Sequence, residues 1–386
     1  MKNTIKVLEA MLRIALVAVI GFSFAALSLT GCDDGSDHTD TYTPSQQYGN
    51  LVPGADLAAK LQWLKDNAQN SKDYIVEVSK DEVIAGHTFN AANMNNATWA
   101  TVTLKGIGGE RKIAATGGGT VFTVGSGYSL TLDTNINVTQ GAGGSGCLID
   151  VSTGATLVMK DGAKVTNGQS GLWGGGVGVW GTFTMNGGEI SGNDGGSGHG
   201  GGVAVHGGTF TMNGGTIKNN QSNFPTGGGG GGGGVLVNSA STFTMNGGTI
   251  SGNQTDGSGG GMAMAYNATF TMNGGTISGN QARYGGGVAS NGTFTMKGGE
   301  ISGNTASTNG GGVYVDIYGS FTKTAEGGII YGTGDAKANT ATQDGQAVCL
   351  WGSANVSAGG YRNTTVTAAE RLTAPDCSKG EGTWGE

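Results

Sequence analysis

Charge is scarce in this 386-residue chain: only 12% of residues are charged, and 27 acids against 20 bases leave it acidic. There is no basic cluster, which argues against nucleic-acid binding. Cysteine and histidine number four each, at spacings that make no zinc-ligand pair, so neither metal nor cofactor is expected. One apolar run stands out, Ile14 to Leu29, and it lies at the amino terminus. The 80 glycines are roughly three times the usual share, yet they follow no G-X-Y period, which excludes collagen. No six-residue period is visible, which argues against a left-handed hexapeptide helix.

What is present is a repeat. Phe-Thr-Met starts at Phe183, Phe210, Phe243, Phe270 and Phe294, with a worn copy at Phe321. The gaps are 27, 33, 27, 24 and 27 residues, a period that signals a solenoid. A glycine tract precedes each copy and Gly-Gly-x-Ile follows most of them. Each unit contains three short period-two alternations, such as Met262-Ala-Met264, Phe270-Thr-Met272 and the residues around Ile277. Three such strands cannot close a core alone, so copies must stack in register. Stacking predicts inward columns of the Phe, Met and Ile positions, and a fourth running Val177, Val203, Val235, Met262, Val288 and Val313. Asn193, Asn253, Asn280 and Asn304, each after a turn glycine, are placed to hydrogen-bond from coil to coil. Because the apolar positions are periodic, disorder is rejected despite the glycine. The expected fold is all-β: a right-handed parallel β-helix of about ten three-stranded coils with a short amino-terminal capping helix. At roughly 4.8 Å per coil it is about 50 Å long.

In chain order, Lys2, Lys6 and Arg13 precede the apolar run, which ends Leu29-Thr30-Gly31-Cys32. This resembles a bacterial lipobox, so residues 1–31 are expected to be a lipoprotein signal peptide and Cys32 the lipid-modified residue. The chain is then expected at a bacterial cell membrane or outer membrane, lipid-anchored and surface-exposed or periplasmic. Removing residues 1–31 takes away three bases and one acid, making the remainder more acidic. Residues 32–54 read as a flexible tether and 55–73 as a capping helix with Leu57, Leu61 and Leu64 on one face. The β-helix is expected over 74–360, with strands at Tyr74–Val78 and Glu82–Phe89, and 361–386 as a cap or tail. Leu157, Leu130 and Val102 continue the Phe column backwards, and Ala354 forwards. The insertion Gln221 to Gly234 lacks the strand-loop-helix context and lysine of a phosphate cradle. Cys349, between inward Val348 and Leu350, is expected to face outward; whether it pairs with Cys377 is left open.

Ile277-Ser-Gly-Asn280, followed by Gly285-Gly-Gly-Val288, resembles the repeats of chlamydial polymorphic outer membrane proteins. Ile301 to Val313 fits the same frame, and the likeness covers about residues 150–320. Ile stands where those repeats have Phe, and Gly where they have Ala. The resemblance implies an adhesin-like surface protein. No translocator barrel follows before Trp384-Gly-Glu386, so lipid rather than a barrel is expected to hold the chain. The wider pectin-lyase-like group suggests an alternative, a polysaccharide-active lyase or hydrolase. Gly198-His199-Gly200 is similar to a motif of its hydrolases, but the paired Asp residues that glycoside hydrolysis needs do not accompany it. No catalytic residue is assigned.

If Phe and Met point inward, their neighbours point outward. That yields two threonine ranks: Thr182, Thr209, Thr242, Thr269 and Thr293, beside Thr184, Thr211, Thr244, Thr271 and Thr295. Ser320 and Thr322 extend them. Threonine is β-branched and suits an exposed strand in any case. The ranks can also present hydroxyls and methyls to a glycan or cell-surface protein. They resemble, too, the ice-binding face of some antifreeze proteins, which adds an ice-binding alternative.

Overall fold

The computed structural model describes residues 50–350, apart from 172–173, 198, 224–230, 325–327, 333–334 and 344. Within them the chain is an all-β parallel solenoid of about ten coils. Sheet A has eleven strands, from Asn50–Leu51 and Lys72–Val78 through Thr242–Met245 to Ser320–Lys323. Sheet B has ten, from Glu82–Ile84 to Ile329–Ile330, and sheet C ten, from His87–Phe89 to Val348–Leu350.

The repeats stack in the register their sequence predicts. Phe183 pairs with Phe210, Phe210 with Phe243, Phe243 with Phe270, Phe270 with Phe294 and Phe294 with Phe321, all in parallel. Their rings stack with centroids 4.7 to 4.9 Å apart. Leu157, Leu130 and Val102 continue that column. The Met and Ile columns and the Val177 column are likewise fully buried. Such a core satisfies its backbone by pairing coil to coil and its side chains by stacking like on like.

The coil differs from expectation in one respect. From Gln221 onward a fourth strand appears, forming a five-stranded sheet D of Gln221–Ser222, Gln254–Thr255, Gln281–Tyr284, Thr305–Asn309 and Thr340–Ala341. The coil therefore runs A, B, D, C rather than through three strands. Sheet D was hard to see because three of its strands are only two residues long and its residues are mostly polar.

A buried asparagine ladder separates sheets B and D. Asn193, Asn220, Asn253, Asn280, Asn304 and Asn339 are all buried. Each of the first five donates its Nδ2 to the Oδ1 of the next, at 2.8 to 3.0 Å. The same Oδ1 atoms accept the backbone N–H of the preceding asparagine. The second Nδ2 hydrogen goes to an inward strand carbonyl, such as Ile217 O for Asn253. Every buried polar group of the ladder thus has a partner, which is the condition for keeping amides in an apolar interior. The glycine tracts lie against it: a Cβ on Gly234 would sit 2.6 Å from Gly261 O and 2.9 Å from Asn253 Nδ2. Any larger residue there would force the coils apart.

At the amino-terminal end, helix α1 spans Leu57–Asn67. Asp56 caps it by accepting from Ala59 N, and Leu57, Leu61 and Leu64 are buried. Trp63 packs edge-on against Tyr74, covering the first coil. Asn50 and Leu51, expected in the tether, instead pair with Tyr74 and Ile75 as the outermost strand of sheet A. Glu82–Phe89 divides into Glu82–Ile84 in sheet B and His87–Phe89 in sheet C. At the other end, Lys323 takes the Met position opposite Met296. It is only 2% exposed, its Nζ has no hydrogen-bond partner, and burial lowers its pKa. The worn repeat therefore places an amine in the methionine column.

Cys349 requires a correction. It leaves the main core, as alternation demands, but it is not exposed. It is buried in a separate cluster with Ala289 and Tyr314 on the far side of sheet C. Asn309 Nδ2 donates to its sulfur at 3.8 Å. The chain entering sheet C folds over this face: a Cβ on Gly345 would collide with Cys349 Cβ. Cys377 lies outside the described residues, as do Cys32, Ala354 and the expected tail 361–386.

Candidate binding face

The two threonine ranks occupy the outer side of sheet A. Thr182, Thr209, Thr242, Thr269 and Thr293 are paired in register, and so are Thr184, Thr211, Thr244, Thr271 and Thr295. In the first rank all but Thr242 are exposed, while the second rank is half-buried. Neighbouring strands are roughly 4.8 Å apart and the two ranks roughly 6.7 Å apart. From Tyr128 to Thr322 no outward position of this sheet carries a charge. The result is a regular, neutral array of hydroxyls and methyls.

Two features border the array along the turn to sheet B. Asn186, Asn213, Asn246 and Asn273 form a second, exposed ladder with Nδ2-to-Oδ1 bonds of 2.7 to 2.8 Å. Beyond it, on sheet B, Lys218 pairs with Glu189 at 2.9 Å, and Glu300 pairs at 3.1 Å with Lys337 from the segment after that sheet's last strand. Partial burial opposes ionisation of Glu189, yet the Ser191 hydroxyl and the Lys218 ammonium hold its pKa below the ordinary value. The exposed pairs are worth little to stability.

The corner from sheet C to sheet A is more varied. Trp180 stacks on His206 with centroids 4.9 Å apart, and His199 meets His206 edge-on at 5.4 Å. Asn238 Nδ2 lies 3.2 Å from His206 Nδ1. Burial, with His199 beside it, pulls the His206 pKa down to about 4. Asp194, the acid near His199 in sequence, is held in its own turn: its carboxylate accepts from Gly196 N and Gln221 Nε2, both at 2.7 Å. Further along the same corner, Tyr266 and Tyr318 stand exposed and touch edge-to-face at 5.9 Å. Sequence reasoning missed this pair. The available signal was the 24-residue spacing between Phe270 and Phe294, which marks a shortened coil between them.

Cys147 is a buried thiol whose pKa is pushed up to about 12 by burial and by the nearby Asp150, leaving it a poor nucleophile. Among the described residues no three of His, Cys, Asp and Glu come together as a metal site, and no helix is long and apolar enough to cross a membrane. Compared with known proteins, the chain matches no family model, no curated protein and no solved structure.

Proposed function

We propose that this chain is a lipid-anchored bacterial surface protein, adhesin-like, whose solenoid presents the sheet A threonine face to a glycan or protein ligand. The observation that carries the reading is the in-register threonine array, kept free of charge over its whole length. A flat array of hydroxyls and methyls fits a ligand that is itself neutral and repetitive. Its parallel strands are held by a stacked core, so the array is preorganised and binding need not order it. The anchor rests on the lipobox ending at Cys32, with the residues after it as the tether.

Two measurements test the two halves. Thr211→Lys, Thr244→Lys and Thr271→Lys together place three charges in the centre of the face without touching the core. Binding to ligands found on glycan and matrix-protein arrays is expected to weaken about tenfold or more, at an unchanged thermal midpoint. Undiminished binding by a folded triple variant makes the face a solvated wall. For the anchor, Cys32→Ser is expected to move the protein from the detergent phase to the aqueous phase on phase separation. Retention in the detergent phase refutes lipidation at Cys32.

A further inference from the structure

Three neighbouring coils turn from sheet C to sheet A in different ways. The turn after Met264 has four residues, Ala265 to Ala268, and the turn after Val315 has four, Asp316 to Gly319. Between them the turn after Ser290 has only two, Asn291 and Gly292. The shortened turn lies between the two longer ones, which carry Tyr266 on one side of it and Tyr318 on the other. The rings are 56% and 59% exposed, and they meet edge-to-face across the intervening coil. Ile317 beside them is also exposed. At the equivalent corner after Val237 the residues are Asn238, Ser239, Ala240 and Ser241, so the repeat itself does not require aromatics there.

The coil between the tyrosines offers an acceptor that nothing uses. Asn291 Oδ1 is buried and has no hydrogen-bond partner. A buried amide oxygen left unpaired is costly, and a ligand that donates to it recovers that cost. Asp316, at the rim, spends one carboxylate oxygen on Ile317 N at 2.8 Å. The site thus combines two rings with acceptors, and among the described residues its three turns, 265–268, 291–292 and 316–319, carry no lysine or arginine to pair with an anionic ligand. A protein partner needs a far larger surface than one pair of rings at a corner. A saccharide matches both halves: its C–H face stacks on an aromatic ring, and its hydroxyls donate to amide and carboxylate oxygens.

We infer that the Tyr266–Asn291–Tyr318 corner is a saccharide-binding site for a neutral sugar, entered by parting the tyrosine pair. It lies beside the threonine ranks and stands without them. The test is calorimetric titration of the detergent-solubilised full chain with neutral oligosaccharides of glucose, galactose and N-acetylglucosamine. At least one is expected to bind, and Tyr266→Ala with Tyr318→Ala should weaken it about tenfold or more. Tyr266→Phe with Tyr318→Phe should keep most of the affinity, since stacking uses the ring. Asn291→Leu should weaken it by removing the acceptor, and the triple threonine-to-lysine variant should leave it unchanged. Both rings are exposed, so the alanine variants should keep the wild-type thermal midpoint, which checks that they fold. If none of the neutral sugars binds, or if the double alanine variant binds as the wild type does, the inference falls. Loss of sugar binding in the threonine variant alone assigns the sugar to sheet A and overturns the corner site.

Discussion

Phe243→Asp is expected to unfold several coils around its position. Its ring is stacked between Phe210 at 4.7 Å and Phe270 at 4.9 Å, and it is fully buried. Losing a buried Phe side chain alone costs about 3–5 kcal/mol, and an unpaired carboxylate adds the penalty of leaving water. In a solenoid each repeat touches only its neighbours, so the damage should centre on the coils holding Phe210, Phe243 and Phe270. Hydrogen exchange should show lost protection there first, with helix α1 and the first coils retained. Thr244→Ser, one residue on and facing outward, should change the thermal midpoint little. Equal losses from the two substitutions would refute the assignment of inward and outward faces.

Asn253→Ala should be nearly as damaging, although it removes a polar side chain. It strips the acceptor from Asn220, whose backbone N–H and Nδ2 both donate to Asn253 Oδ1. It also removes the Nδ2 donor from Ile217 O, whereas Asn280 Oδ1 keeps the Asn253 backbone N–H. Orphaned buried groups cost about 1–3 kcal/mol each, so a loss of about 3 kcal/mol or more is expected. The control is Asn246→Ala in the exposed ladder. There the bonds to Asn213 and from Asn273 have nearly the same lengths, but water can replace them. That change should stay within about 0.5 kcal/mol. Urea unfolding of the two variants, with hydrogen exchange at the Asn220 amide, makes the comparison. Similar midpoints would mean that burial does not govern the ladder's contribution.

Much of this fold was legible because the repeats are near-copies. Period two in Phe-Thr-Met assigns faces, and a recurring spacing assigns register, so the columns from Val102 to Phe321 follow without coordinates. Sheet D escaped because Gln221–Ser222 and Gln254–Thr255 are too short and polar to show a period. Cys349 was misread because alternation says which side of a strand a residue takes, not what else covers that side. The threonine ranks were likewise readable from alternation. The tyrosine corner was not, because Tyr266 and Tyr318 are separated by 52 residues and come together only where the intervening turn is short.

The glycines divide the two kinds of knowledge most clearly. Sequence alone established that they recur with the repeat, and some do serve as turn residues: Gly192 has φ +64°, and Asn219 takes its place in the next coil at φ +52°. Only the tertiary structure decided why they come in tracts. Gly202, Gly234, Gly261 and Gly287 have no such backbone demand; each lies where a Cβ would press on a ladder asparagine and on the glycine carbonyl of the next coil. Local pattern determines φ, face and register, because these depend on residues close in the chain. Space depends on what another coil brings alongside, and that contact exists only once the coils have stacked.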